Sequence, residues 1–472
     1  SAWNLTMILL MKMQTQLNDS MPGSAAELIS VALDSGDIYS AAAVYGLADI
    51  DDKKSLAKLL TAKRRDVLKL ARWEHTPTEV LALFADVEDE AVRLRIDKNP
   101  ATQTQTLSNL YRDEADISFI TLIAKHANTS AEVLWQILHS STATDLVRAV
   151  VKNPNTDAET LALVAEKFAD QFDAELASHP ATSADLLMRL YARGNEFVQA
   201  AVVAHKACPD TLFTLAAKQE SSLILRHLAT NPHIDKRLTS RLALDKGYSV
   251  RRAAASHKNL PAWVLEQLVR DDSEYVRRVV AAREDLTAEM MNCLIADTDH
   301  WVRQWVALNP KLSDSQLYSL SQDEHKEVRR AVARNPKTNS ALLRQLANDE
   351  QVWVRAAVAN QPNTPASTLI ILAEMDDIDV LGGVASNPKT PQKVLQRLSY
   401  SISADVRRAV ILNNMAIRQT LLPLLDDPYY LNRMMLIQSR ALSADDKWTL
   451  YDDPDPAVRF SLFTWFSRQY QQ

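Results

Sequence analysis

The chain has 472 residues, 47% of them hydrophobic and 24% charged, with only seven glycines and a formal net charge of -6. That composition excludes disordered and collagen-like classes and suits an all-helical protein. The mild negative charge argues against a molecule that attracts polyanions over its whole surface. Its two cysteines, Cys208 and Cys293, have no metal-type spacing, and a reduced, intracellular, cytoplasmic protein is expected.

The first stretch, Trp3 to Met13, is apolar but too short to span a bilayer as a helix. No basic segment precedes it and no Ala-x-Ala site follows, so it is expected to be the first helix of an end cap rather than an export signal. Residues 1–60 read as an N-terminal helical cap, with helices near Ala25–Leu33, Ser40–Leu47 and Ser55–Leu60. Residues 61–472 read as a helical-repeat solenoid.

The repeat is plainest in Asp323–Pro336, DEHKEVRRAVARNP, which recurs as Asp297–Pro310 and Asp349–Pro362. With Asn335 as anchor, equivalent positions fall at 153, 179, 205 and onward to 465, every step 26 residues. Earlier anchors lie at 73, 99 and 126, with one extra residue in each of the last two steps before 153. A fixed period of this size specifies stacked two-helix units, about sixteen of them, rather than separate globular domains.

In each unit the first helix is expected to begin at threonine. Thr76-Pro-Thr-Glu79 reads as an N-cap, a proline at the first helical position and a capping box. Thr129–Glu132 and Thr156–Glu159 repeat the box, and Thr364-Pro365 and Thr390-Pro391 repeat the start. Leucines such as Leu343 and Leu346 then share one face. The second half begins near an aspartate: Asp245, Asp271, Asp297, Asp323, Asp349, Asp427 or Asp453. It buries Val328, Ala331 and Val332 and ends at Asn-Pro. Whether this half is α-helical or a 3₁₀ turn is left open by the pattern. Leu381-Gly-Gly383 is a candidate bend, and the aromatic run Val458–Phe466 reads as a closing cap or a self-association face.

The unit VRRAVARNPKTNSALLRQLANDEQ closely resembles the bacterial leucine-rich repeat variant family over about residues 66–466. The resemblance implies a right-handed superhelix of alternating α and 3₁₀ helices. Some members carry an N-terminal cysteine cluster with an iron–sulfur centre; no cysteine precedes Cys208 here, so no cofactor is carried over. The second half also looks like that of HEAT repeats, in which an aspartate six residues before an arginine forms a ladder between neighbouring units. Asp271/Arg277, Asp297/Arg303 and Asp323/Arg329 fit that spacing. Both families are mostly interaction scaffolds; HEAT-like alkylpurine DNA glycosylases are the enzymatic exception.

Three groups of residues are candidates for function. The arginines Arg277, Arg303, Arg329 and Arg355 share one register and suit either a structural ladder or a basic groove for phosphates. Residues 241–360 hold 18 basic and 16 acidic side chains, a surplus too small to favour nucleic acid. Tyr275, Trp301 and Trp353 each sit two places before one of these arginines, at a position filled elsewhere by Ser249, Glu327 and Asp379. Aromatic side chains beside arginine there have the composition of binding hot spots. His126, His179, His205 and His257 replace the anchor asparagine and are expected to bond a turn backbone. No phosphate-cradling loop, G-x-S-x-G or H-E-x-x-H is present. The expectation is a non-enzymatic scaffold, without metal, cofactor or membrane, that binds a protein or peptide through Tyr275, Arg277, Trp301, Arg303, Arg329, Trp353 and Arg355. A nucleic-acid binder or glycosylase-type enzyme is the alternative.

Overall fold

A computed structural model of the chain describes residues 20–112 and 116–471. The apolar stretch Trp3–Met13 lies outside them. Thirty-four α-helices and two 3₁₀ helices make up the described residues, and no strand occurs among them. The helices divide into two compact units, one of residues 1–128 with 390–472 and one of residues 129–389.

Both halves of the repeat are α-helical. Ser340–Leu346 and Ala366–Leu372 are first helices; Lys326–Arg334 and Val352–Asn360 are second helices. Only Leu422–Asp426, with proline in its first turn, and Tyr45–Leu47 are 3₁₀. The alternation of α and 3₁₀ implied by the family resemblance is therefore replaced by paired α-helices. At seven to nine residues, none of these four helices would persist alone in water. Stability comes from stacking of the buried stripe, in which Val328, Val332 and Leu343 have no exposed surface.

The threonine has a different task from the expected one. Thr76, Thr102, Thr182, Thr338 and Thr364 are buried, and each hydroxyl donates to the carbonyl six residues earlier, at Leu70, Ile96, Leu176, Val332 and Val358. They close the C-terminus of the helix before the turn, whose last carbonyls lack helical partners. The N-cap lies one residue later: Ser130, Asp157, Ser183 and Asn339 each accept an amide three residues on. Pro77, Pro365 and Pro391 hold that N-cap place rather than the first helical position.

Leu381-Gly-Gly383 is not a bend. Helix Ile378–Ser386 runs straight through it. A Cβ on Gly383 would lie 2.7 Å from Asn360 Nδ2 and 2.8 Å from Ala359 Cβ, whereas one on Gly382 would meet nothing within 4 Å. The first glycine leaves an opening and the second permits close approach of neighbouring helices. Gly383→Ala should lower stability by about 1–3 kcal/mol through overpacking. Gly382→Ala should raise it by about 0.5–1 kcal/mol, the helical advantage of alanine. Thermal melts of the two variants that shift in the same direction would contradict this assignment.

In the unit of residues 1–128 and 390–472, the aromatic helix Pro456–Tyr470 packs on the N-terminal helices Ala25–Ser35 and Ile38–Val44. Phe460 meets Trp73 edge-on at 4.6 Å, and Tyr470 donates its hydroxyl to the Pro22 carbonyl. The aromatic run therefore covers, and is covered by, helices of the same chain. Asp37 takes the guanidinium of Arg459 at 3.1 and 2.9 Å. It grips the guanidinium through both carboxylate oxygens, as the aspartates of the repeats do elsewhere.

Candidate functional site

Two ladders of hydrogen bonds tie successive repeats, and they determine which side chains remain for a partner. The first is built on arginine. Arg277 reaches Asp297 through Nε and Nη2 at 2.7 and 3.0 Å, while its Nη1 donates to the Asp271 carbonyl at 2.8 Å. Arg303 does the same with Asp323 and the Asp297 carbonyl, and Arg329 with Asp349 and the Asp323 carbonyl. The aspartate six residues before each arginine contributes its backbone, and the aspartate twenty residues after contributes its carboxylate. Each carboxylate also accepts an amide two residues on, such as Asp323 from His325. Burial pushes the Asp323 carboxyl up, but the bonds from Arg303 and His325 outweigh it and hold the carboxyl below its ordinary value.

Arg355 departs from this pattern because Met375 occupies the aspartate position. Its Nη2 turns to Asp377 Oδ2 at 3.0 Å, and its buried Nε has no partner.

The second ladder is built on the anchor. Asn335 Nδ2 donates to the carbonyls of Ala307 and Asn309 at 2.7 and 2.9 Å, and its Oδ1 accepts from Lys337. Gln361 and Asn387 repeat the arrangement. His126, His179 and His205 place Nε2 2.9 Å from the preceding anchor carbonyl, while Nδ1 accepts the amide two residues on. A carbonyl only accepts, so the proton resides on Nε2 and the ring is neutral in this role. His257 bonds the Ala229 carbonyl. The histidines thus bond turn backbone as expected. Among the described residues no group of three or more His, Cys, Asp or Glu converges as metal ligands do. Cys208 is buried, and its thiol is pushed up to about 12 by that burial and by Asp210.

The depressions that combine aromatic rings with arginine lie along the second helices in residues 129–389. Tyr275, Arg278, Val279 and Ala282 are spaced three, four and seven apart and share one face of helix Glu274–Ala281 and its end. They line a depression of about 940 Å³ together with Arg252, Lys258, Arg283 and, from the next repeat, Trp305. A second depression, of about 430 Å³, shares Arg252, Ser256 and Val279 with it and adds Arg226, His227 and Tyr248. A third, of about 420 Å³, holds Arg330, Arg334, Trp353, Asn360 and Asp379. Trp305 and Trp353 are 43% and 46% exposed. Arg278 lies over the Tyr275 ring at 5.0 Å and Arg330 over Trp353 at 5.8 Å. Such cation–π pairs hold the guanidinium group against one face of each ring.

The expected site therefore divides. Tyr275, Trp301 and Trp353 are exposed, and Tyr275 and Trp353 line depressions; Trp301 instead stands beside His300, whose ring stacks on His325. Arg277, Arg303, Arg329 and Arg355 line none of these depressions, because the first three guanidinium groups are held in the ladder and that of Arg355 by Asp377 and the Asp349 carbonyl. The groove instead carries the arginine one residue later: Arg252, Arg278 and Arg330. Arg226 holds the same place in the 26-residue register but follows Leu225 rather than a second arginine. Arg226, Arg252 and Arg334 are exposed, and their side chains take part in no hydrogen bond or ion pair within the chain.

Paired α-helices in a fixed register, tied by arginine and amide ladders, define an all-α helical-repeat protein, an α-solenoid. Neither a family model nor a curated protein matches the chain. Among solved structures it is similar to a leucine-rich repeat variant described as having a novel repetitive structural motif, at 26% identity over 52% of this chain and 87% of that one, with a TM-score of 0.31. It is also similar to the Pds5–Scc1 complex, at 14% identity over 95% of this chain and 72% of that one, with a TM-score of 0.23. No described helix is long and apolar enough to cross a membrane.

Proposed function

We propose that the chain is a non-enzymatic scaffold that binds another protein or peptide in the groove formed by its second helices. One observation carries this reading. Two depressions that share Arg252, Ser256 and Val279 combine exposed Tyr248, Tyr275 and Trp305 with Arg226 and Arg252, whose side chains have no partner inside the chain. Rigid aromatic rings give large contact area at low entropic cost, and guanidinium groups add directional donors. The core needs neither group at these positions, since Ala331 fills the slot of Trp305 in the unit that follows.

Selection from a random peptide display library against the full chain tests the reading. Binders should be enriched, and Tyr275→Ala with Trp305→Ala should weaken them by about tenfold or more, a typical cost for truncated aromatic hot spots. The far-ultraviolet circular dichroism should not change. Tight duplex DNA binding that survives physiological salt, or release of a damaged base from DNA, would overturn the scaffold reading in favour of a nucleic-acid function.

A further inference from the structure

The charges along the groove are specific enough to say what kind of peptide it takes. Arg226, Arg252 and Arg334 extend from the walls with no carboxylate of the chain to meet them, and Lys258 is likewise exposed and unpaired. By contrast Arg278 is paired to Asp299 at 2.7 Å, and Arg283 spends itself on Asp285 and on the Ala255 and His257 carbonyls. The depression of about 940 Å³ is lined by Val279 and Ala282 together with the Tyr275 and Trp305 rings.

We propose, building on the scaffold reading above, that the groove binds an extended acidic peptide whose carboxylates pair with Arg226, Arg252 and Arg334 and whose aromatic or large apolar side chain sits between Tyr275 and Trp305. The spacing follows from two lengths. Stacked helices lie about 8–10 Å apart, and a peptide in the extended polyproline II conformation advances about 3.1 Å per residue with three residues per turn, so that residues three apart share a face. One residue in every three then faces each successive repeat. Arg226 and Arg252 belong to adjacent repeats, so carboxylates three residues apart meet both.

A nucleic-acid strand fits less well. Its phosphates are far denser, about one every 3.4 Å along a strand. The groove offers roughly one unpaired cation per repeat, and its walls also carry Glu284, Asp285 and Asp379. Those carboxylates repel a continuous polyanion but tolerate a peptide whose charges are spaced. The net charge of -6 acts in the same sense.

The test is fluorescence anisotropy with the full chain at physiological salt. The probe is a labelled 15-residue peptide with aspartate at every third position and one central phenylalanine. Three competitors accompany it: the same peptide with lysine for aspartate, the same peptide with serine for aspartate, and a 15-nucleotide oligothymidylate. The acidic probe should bind at least tenfold more tightly than the lysine and serine forms. Arg252→Glu and Arg334→Glu should each weaken it tenfold or more. Both residues are exposed and unpaired, so folding is spared, and Arg344→Glu on an exposed first-helix position should change nothing. Equal binding of the acidic and serine peptides, or an unaltered affinity in Arg252→Glu, would overturn the acidic specificity and leave the scaffold reading standing. Preference for oligothymidylate over every peptide would overturn both.

Discussion

Arg407→Ala is expected to cost about 3–5 kcal/mol, the usual result of stripping one partner from a buried ion pair. Arg407 grips Asp427 at 2.6 and 2.9 Å, and the Asp427 side chain has no exposed surface. Without the guanidinium, that carboxylate keeps only the Tyr429 amide and Asn432 Nδ2. Burial pushes the Asp427 carboxyl up, and the bonds from Arg407, Tyr429 and Asn432 outweigh it and hold it below its ordinary 3.8. Because the folded value is depressed, the stability this pair contributes is present above pH 3.8. It is lost as pH falls through the lower folded value. The deficit of Arg407→Ala should therefore be full at pH 7 and shrink in acid, where Asp427 is protonated and no longer needs a counter-charge. Adding Asp427→Asn to Arg407→Ala should recover part of the loss at pH 7. A melting temperature for Arg407→Ala equal to the parent's would show that the ladder carries little of the stability. The same geometry recurs at Arg277, Arg303 and Arg329, so substitution there should also melt the array rather than only release a partner.

The opposite sign is expected at Asp97. This aspartate lies in helix Glu90–Lys98, is 2% exposed, and neither carboxyl oxygen has a hydrogen-bond partner. Burial pushes its carboxyl up to about 7, against a small opposing pull from Lys98. A buried charge without a partner is disfavoured, so the group stays protonated well above its ordinary range. In the folded chain the proton is held up to about pH 7, whereas the unfolded chain releases it near 3.8. Stability therefore falls as pH rises across that window, and the whole cost is present above it. From 3.8 to about 7 this amounts to roughly 4 kcal/mol. The equivalent residues Ala333 and Ala359 are fully buried alanines, so Asp97→Ala restores the ordinary occupant of the slot. Asp97→Ala should raise the melting temperature clearly at pH 8 and hardly at all at pH 4. A gain independent of pH would refute the assignment of the cost to ionisation.

Much of the fold is legible in the sequence because every repeat obeys the same local rules. The 26-residue step, the paired helices, the buried Val328, Ala331 and Val332, and the backbone-bonding role of the anchor histidines all follow from periodicity and side-chain chemistry. The exposure of Tyr275, Trp301 and Trp353 was also readable, since Ser249, Glu327 and Asp379 hold the same register.

Other features depend on how one repeat turns against the next, which a register does not encode. Spacing marks Asp271 as the partner of Arg277; stacking gives Arg277 the Asp271 carbonyl and sends its guanidinium fork on to the Asp297 carboxylate. Four arginines expected at the binding face are thereby consumed, and the face passes to Arg252, Arg278, Arg330 and the isolated Arg226. Thr76 looks like an N-cap until the preceding helix offers it the Leu70 carbonyl. The pairing of Arg459 with Asp37 has no local signal at all, because 422 residues separate them. Local chemistry repeated at a constant step specifies the unit, its period and its core. Tertiary structure alone decided which donors met acceptors in a neighbouring unit, and so which side chains were left for a partner, because each such bond depends on the orientation of two helices that no single repeat contains.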